Sequence, residues 1–151
     1  MPELMKIQFL FLISTIILFN LHAQSSQSIR EKLTSNVWGL HGILTVNDSE
    51  QTEERQELGD SDVRLRFSND GTLTELEEGI KRMYRWEVKS DSTIVIHRTP
   101  TEKKERFNSF LKLEEVNVIK QLNDNNLILQ THQSDSISYK FHYKRDDRFF
   151  E

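Results

Sequence analysis

The sequence contains no cysteine, only two prolines and only five glycines among its 151 residues. Without cysteine the fold can hold no disulfide and no cysteine nucleophile, and no lipid-anchoring cysteine follows the N-terminal apolar run. Such a fold has to be stabilised by a hydrophobic core, which a chain of this length can form as a single domain.

Basic residues are not in excess either. Twenty lysines and arginines face 24 aspartates and glutamates, so the formal net charge is −4. A nucleic-acid-binding domain carries a clustered basic face, so this balance argues against a nucleic-acid partner. Charged residues make up 29 % of the chain and their signs alternate closely, which indicates a solvated surface.

The only long apolar run lies at the N-terminus. Ile7–Leu21 follows Lys6 and precedes Ala23, which is the order of basic, apolar and small residues in a cleavable signal peptide. The run is shorter than the ~20 residues that a membrane-spanning helix requires. We therefore expect residues 1–23 to be removed, the mature chain to have no transmembrane segment, and the protein to be periplasmic or secreted.

The rest of the chain divides by composition into three parts. Residues 24–36 are expected to form a linker and a short helix over Ile29–Leu33, capped by Ser28. Residues 37–145 carry alternating strand patterns, and residues 146–151 are a charged tail. Ile29 and Leu33 lie four residues apart, so the helix is expected to dock one apolar face on the domain.

Short alternating segments dominate the domain. Residues 137–143 alternate strictly between apolar and polar side chains, and Asn69-Asp70-Gly71 supplies residues that favour a tight turn between two strands. Eight or nine such segments, spaced roughly 10 residues apart, predict an all-β antiparallel fold. A closed barrel or a sandwich fits this spacing, and closure removes the exposed edge strands.

Three segments carry more specific expectations. The first strand, Val37–Val46, is expected to place four apolar side chains on one face, which are Trp38, Leu40, Leu44 and Val46. Residues 47–60 are strongly acidic and are expected to form an exposed loop. Residues 107–113 are expected to form a strand.

No catalytic or metal-binding pattern stands out. There is no nucleophile in a recognised motif, and the histidines that follow the leader lie on separate strands without short ligand spacing, at positions 41, 97, 132 and 142. We therefore expect a protein that is not an enzyme and that uses no metal and no cofactor.

Aromatic residues on the apolar strand faces are the candidate ligand-binding set. The residues selected are Trp38, Tyr84, Trp86, Tyr139 and Phe141. An eight-stranded barrel is just wide enough for one small ligand or for its own side chains. Two interpretations stay open: the rings line a cavity for a small hydrophobic ligand, or they fill the core.

Several of these residues occur in an order that resembles a known family. Trp38 after a short helix, the Phe67-Ser-Asn-Asp-Gly-Thr-Leu segment, Trp86, and the Leu127-Ile-Leu and Tyr139-Lys-Phe hairpin resemble the small lipocalin-like domain proteins of Gram-negative envelopes. The resemblance covers most of residues 33–143. The chain departs from the family at two Gly-x-Trp motifs, where it has Asn36 and Tyr84 in place of glycine.

The resemblance implies an up-and-down β-barrel of about eight strands. It also implies that a basic side chain after the last strand, Lys144 or Arg145, covers Trp38. The function expected is binding of a small apolar ligand or service as an envelope accessory domain. The alternative is a protein-interaction module, of an inhibitor or immunity type, that binds an envelope protein through the acidic segment 47–60.

Overall fold

The computed structural model describes residues 27–59, 61–98 and 114–148. The expected signal peptide and the strand expected at 107–113 lie outside these residues. A helix, α1, spans residues 27–34. Nine strands follow: β1 (Val37–Asn47), β2 (Thr52–Glu57), β3 (Arg64–Phe67), β4 (Thr72–Glu77), β5 (Ile80–Ser90), β6 (Thr93–His97), β7 (Glu114–Leu122), β8 (Asn126–His132) and β9 (Ile137–Asp146).

Eight of the strands close into an antiparallel barrel. Strands β3 to β9 pair in chain order, β1 pairs with β3, and β9 returns to pair with β1 over almost its whole length. The closed meander confirms the predicted fold class. β2 is an additional strand outside this closed set. It pairs with the second half of β1, along the same edge of β1 on which β3 pairs with the first half.

A β-bulge in β1 changes which side chains face the interior. Leu40 pairs with Tyr143 and Gly42 pairs with His142, so His41 is an extra residue without a partner on β9. After the bulge, Ile43 packs against the core. The expectation that Leu44 and Val46 share a face with Trp38 and Leu40 is therefore wrong, because the extra residue reverses the alternation.

The acidic segment 47–60 is not simply a loop. Its central part forms β2, which pairs with Gly42–Asn47 of β1, while Asp60 lies outside the described residues. All six residues of β2 are exposed. Because neither face of β2 is buried, its sequence shows no apolar alternation from which a strand could be predicted.

Helix α1 covers one end of the barrel. Leu33 is fully buried, and Ile29 packs against the same core, as the four-residue spacing predicted. Ser28 lies inside the helix, because residue 27 is already helical, so it cannot be the expected cap. In the part of the chain that the structure describes, no helix is both long and apolar enough to cross a membrane.

An ion pair crosses β1 on the outside of the barrel. Nε of Arg64 on β3 donates a 2.9 Å hydrogen bond to Oδ2 of Asp146 on β9, and both side chains are largely buried. Gly39 lies beneath this pair, since a Cβ atom there would be 2.9 Å from the same oxygen. The absence of a side chain at Gly39 thus lets the strands on either side of β1 be joined directly.

Candidate functional site

The interior of the barrel differs between its two ends. At the closed end, which α1 covers, the inward side chains of Trp38 and Leu127 are fully buried. At the open end, where the β1–β2 and β8–β9 hairpins lie, the inward residues Ile43, Thr45 and Tyr139 are only partly buried. Toward the closed end Val88 and Leu122 are likewise only partly buried, so burial alone does not distinguish the two ends. Strand β6 ends and β7 begins at the open end, and the residues between them, 99–113, lie outside the described part of the chain.

Both tryptophans lie toward the closed end and are held by hydrogen bonds to backbone. Nε1 of Trp38 donates to the carbonyl of Leu33 at 3.0 Å, and Nε1 of Trp86 donates to the carbonyl of Ser68 at 3.1 Å. The rings of Phe67 and Trp86 meet edge to face, with centroids 5.0 Å apart. These buried, hydrogen-bonded rings belong to the packed core.

The basic side chain over an indole comes from α1 and not from the end of β9. The Arg30 guanidinium lies 4.6 Å from the Trp86 ring centroid. Arg145 lies opposite Trp38 in register, but its Nε donates to Asp147, while Nζ of Lys144 is 3.0 Å from a ring nitrogen of His41. The implied contact of Lys144 or Arg145 with Trp38 is therefore corrected to Arg30 with Trp86.

Three charged side chains lie inside the barrel between the core and the open end. Glu75 pairs in register with Leu65, and Glu115 pairs with Ile96, so both carboxylates share the face of core residues. Arg98 follows Ile96 by two residues and lies between them. The side chains of Arg98, Glu75 and Glu115 are only 7, 7 and 15 % exposed.

Arg98 lies next to both carboxylates of this group. Its Nε donates to Oε2 of Glu115 at 3.1 Å, and Nη2 lies 3.1 Å from the same oxygen. Its third nitrogen, Nη1, is 3.8 Å from Oε2 of Glu75 and has no hydrogen-bond acceptor in the described part of the chain. Leaving a buried donor unsatisfied costs about 1–3 kcal/mol.

The neighbours of Arg98 hold it in place. Its guanidinium carbon lies 4.4 Å from the Tyr84 ring centroid, a cation–π geometry. Nδ2 of Asn117, a fully buried residue, donates to Oε1 of Glu115 at 3.2 Å. The Tyr84 ring and the Asn117 amide therefore hold Arg98 and Glu115 in place.

A second arginine extends the group toward the rim. Nη1 of Arg82 lies 2.9 Å from Oε2 of Glu77 and 3.9 Å from Oε1 of Glu75. The Arg82 side chain is 15 % exposed, whereas that of Glu77 is 38 % exposed. We call Glu75, Arg82, Arg98 and Glu115 the interior charge cluster; its two cations and two anions cancel.

The five aromatic residues predicted to bind a ligand do not form one group. Trp38 and Trp86 lie toward the closed end and Tyr84 lies under Arg98, all of them buried. Tyr139 and Phe141 are neighbours on β9, with ring centroids 6.3 Å apart, and are partly buried toward the open end. Ligand binding by these residues stays a prediction, and of the five only Tyr139 and Phe141 lie between the charge cluster and the open end.

Sequence reasoning missed the interior charge cluster. Its signal was present, because Glu75 follows the core residue Leu73 by two positions and Arg98 follows Ile96 by two. In a strand, residues two apart face the same side. Extending the apolar alternation of β4 and β6 by one step would have placed both charges inside the barrel.

The histidines lie on four different strands, as predicted, but His41 and His142 come close together where β1 pairs with β9. His97 lies 3.3 Å from a carboxylate oxygen of Glu87, and His41 lies in the bulge of β1 beside Lys144. Burial lowers the pKa of His142 on the outer face of β9. Among the residues that the structure describes, no three histidine or carboxylate side chains are grouped as metal ligands would be.

Comparison with known proteins supports the fold. No family model matches the chain, and no curated protein matches it. The crystal structure of a lipocalin-like protein from Bacteroides uniformis is 14 % identical in sequence with a TM-score of 0.50, and the match covers 76 % of this chain and 99 % of that one. An uncharacterized protein from Bacteroides eggerthii is also 14 % identical with a TM-score of 0.50, covering 74 % of this chain and 98 % of that one. The fold is therefore lipocalin-like.

Proposed function

We propose that this protein is an exported, non-enzymatic barrel that binds a small ligand through its open end. The observation that carries the proposal is the closed, lipocalin-like barrel whose inward aromatic residues Tyr139 and Phe141 are only partly buried at the end opposite α1. An eight-stranded barrel is just wide enough for its own side chains or for one small ligand.

The side chains on the approach define the expected ligand. Ile43, Phe141 and Tyr139 offer apolar and aromatic surface, and the charge cluster lies beyond them. A predominantly apolar wall with a few polar groups is the usual lining of a small-molecule site. We therefore favour a ligand with an apolar body and one polar group over the purely apolar ligand that the aromatic residues suggested.

A non-enzymatic role fits the state of the interior carboxylates. Glu115 accepts a hydrogen bond from Nε of Arg98 and lies 3.1 Å from Nη2, and Glu75 faces Arg98 and Arg82. A general base needs a carboxylate poised to accept a proton from a substrate. Carboxylates that already contact arginine side chains are not free to accept a proton from a substrate in this arrangement, which suits a binding site better than a catalytic one.

Native mass spectrometry of the protein purified from its own host tests ligand binding. We expect a co-purified small molecule on the wild type and on Met83→Trp, because Met83 is 60 % exposed on the outer face. Thr131→Trp should lose that molecule, since Thr131 pairs with the inward residue Tyr139 and a large ring there fills the open end. Retention of the molecule by a folded Thr131→Trp protein would place the site elsewhere.

Export is tested separately. The proposal of export depends on the leader pattern over residues 1–23, and cleavage at the expected site produces a chain that begins at Gln24. N-terminal sequencing of the protein purified from its own host locates the cleavage site, and fractionation of the envelope locates the protein. A chain that retains Met1 in the cytoplasmic fraction would contradict export.

A protein-interaction module is the second candidate, and β2 favours it. All six residues of β2 are exposed, and within the described residues the strand pairs only with β1. An edge strand of this kind can add a strand from a partner. The same mass spectra distinguish the candidates, because a bound protein that is lost on Arg55→Pro would support this function in place of ligand binding.

A further inference from the structure

We propose that a groove on the outer surface of the barrel binds a short apolar peptide through its free amino and carboxyl termini. The groove encloses about 560 Å³ and runs across β1, β9 and β8, with the β1–β2 hairpin on one side and β7 on the other. It is separate from the barrel interior, so this inference does not depend on the ligand proposed for the open end.

The floor of the groove is apolar although it belongs to the outside of the barrel. Leu44 and Val46 of β1 point outward because the bulge reverses the alternation, and Ile128 of β8 pairs with the outward residue His142. Leu44, Val46 and Ile128 are partly buried and line the groove. They supply apolar surface for a side chain of the peptide.

A buried amide lies in the same floor. Gln130 is 9 % exposed, and its Nε2 donates a 2.9 Å hydrogen bond to Oγ of the buried Ser138. Its Oε1 accepts no hydrogen bond from the described residues and keeps accessible surface. An oriented amide oxygen of this kind can accept from a peptide N–H, so the floor suits a peptide better than a plain alkyl chain.

Charges of opposite sign lie on the two sides of the groove without meeting. Asp48 and Glu53 line it at the β1–β2 hairpin, and Lys120 and Lys140 line it on β7 and β9. None of these four side chains forms an ion pair with another residue that the structure describes. A peptide with free termini complements both sides, because its ammonium faces the carboxylates and its carboxylate faces the lysines.

The spacing of the charges sets the length of the peptide. Glu53 on β2 and Lys140 on β9 are separated by β1, so two strand spacings, about 10 Å, lie between them. An extended tripeptide spans roughly 10 Å. The hairpin is fixed in place, since the N–H of Asp48 donates a 2.8 Å hydrogen bond to the carbonyl of Ser136 in the β8–β9 turn.

An NMR titration of the isotopically labelled protein tests the site. The probe is the tripeptide Ala-Leu-Ala, compared with its N-acetylated and its C-amidated forms, each of which lacks one terminal charge. We expect the free peptide to shift the side-chain amide resonances of Gln130. It should bind about 5-fold more tightly than either capped form, which is the effect expected of one partly exposed charge pair.

Two double variants separate the two ends of the peptide. Lys120→Gln/Lys140→Gln should lose the preference for the free carboxylate and keep the preference for the free amine. Asp48→Asn/Glu53→Gln should do the reverse. A merely structural role of these side chains would weaken the binding of all three peptides alike.

Glu50→Gln/Glu54→Gln is the matched control for the acidic side. It removes two carboxylates from the same hairpin, yet neither residue lines the groove, and Glu54 pairs with the inward residue Thr45. Both preferences should therefore stay as in the wild type. Equal loss of the amine preference in this control would mean that the net charge of the hairpin, and not the groove, attracts the peptide.

Three further results would overturn the proposal. These are equal binding of the free and capped peptides, preferences that neither double variant changes, and a free peptide that leaves the Gln130 resonances unmoved. Shifts confined to Tyr139 and Phe141 would place the peptide inside the barrel, which overturns the groove and supports binding at the open end. Thr131→Trp at the open end should leave peptide binding unchanged, because Thr131 faces inward.

Discussion

The interior of the barrel is filled by different kinds of side chain at its two ends. The closed end uses apolar and aromatic side chains under a helix, with the polar atoms of Trp38 and Trp86 bonded to backbone. Toward the open end, the chain buries paired charges and leaves Ile43 and Tyr139 partly exposed. Buried ion pairs stabilise a fold less well than apolar packing of the same volume, so we expect the closed end to contribute more of the stability than the charged part of the interior.

The largest expected effect is a loss of stability on substitution at the closed end. Trp38→Ala removes a fully buried ring and the hydrogen bond to Leu33, so the free energy of unfolding should fall by about 3–5 kcal/mol. Phe141→Ala at the open end should cost only about 1–2 kcal/mol, because Phe141 is partly exposed. Urea titrations of the two variants measure the contrast, and equal losses would show that the ends are packed alike.

The second effect concerns the ion pair outside the closed end. Hydrogen bonds from Arg148 hold the pKa of Asp146 far below its ordinary value of 3.8, with a further contribution from Arg64. A depressed carboxyl pKa stabilises the fold above the unfolded value, and this contribution is lost as the pH falls below about 4. Asp146→Asn should therefore cost about 2 kcal/mol at neutral pH and progressively less in acid.

Thermal unfolding of both proteins between neutral pH and acid measures the dependence. Asp147→Asn is the matched control, since Asp147 is a neighbouring carboxylate whose side chain is 82 % exposed and pairs with Arg145. It should show little loss at any pH. If Asp146→Asn loses as much stability in acid as at neutral pH, its charge is not what joins the strands.

A third, smaller effect comes from Gly39. Gly39→Ala should cost about 1–2 kcal/mol, because the new methyl group meets Oδ2 of Asp146 at 2.9 Å while Arg64 and Arg148 hold that carboxylate. In an Asp146→Ala background the same substitution should cost much less. A double-mutant cycle by urea unfolding gives the coupling, and additive losses would contradict the contact.

The smallest expected effect on stability concerns the contact between helix α1 and Trp86. Arg30→Ala removes the cation over Trp86 and should cost about 0.5–1 kcal/mol, with a change in tryptophan fluorescence. Lys32→Ala, an exposed substitution on the same helix, should change neither stability nor emission. A change of similar size from both variants would mean that α1 contributes through helix propensity and not through this contact.

The barrel could be predicted from the sequence because its strands are buried on one face. Alternation predicted eight or nine short antiparallel strands, among them β1 and β9, and the Asn-Asp-Gly turn before β4 forms as expected, with Gly71 at a φ of +84°. β2 could not be predicted, because exposed strands carry no apolar period. The closing strand pair β1–β9 joins segments far apart in the chain, so only the fold class suggested it.

The candidate site was harder to predict. Aromatic residues marked the interior correctly, yet side chains that fill the core and side chains that line a cavity have the same inward periodicity. Trp86 and Phe141 illustrate this, since one is buried and the other is partly exposed on the same inner surface. The charges of Arg98 and Glu115 come together only through the pairing of β6 with β7, which a single strand pattern cannot show.

The bulge at His41 determines the chemistry of the open end with a single residue. Deleting His41 restores regular alternation in β1, which turns Leu44 and Val46 inward and moves Ile43 and Thr45 to the outer surface. The inward or outward orientation of the side chains in the second half of β1 is thus reversed, while the order of the strands stays the same. A one-codon deletion is therefore expected to exchange the side chains that line this end of the interior.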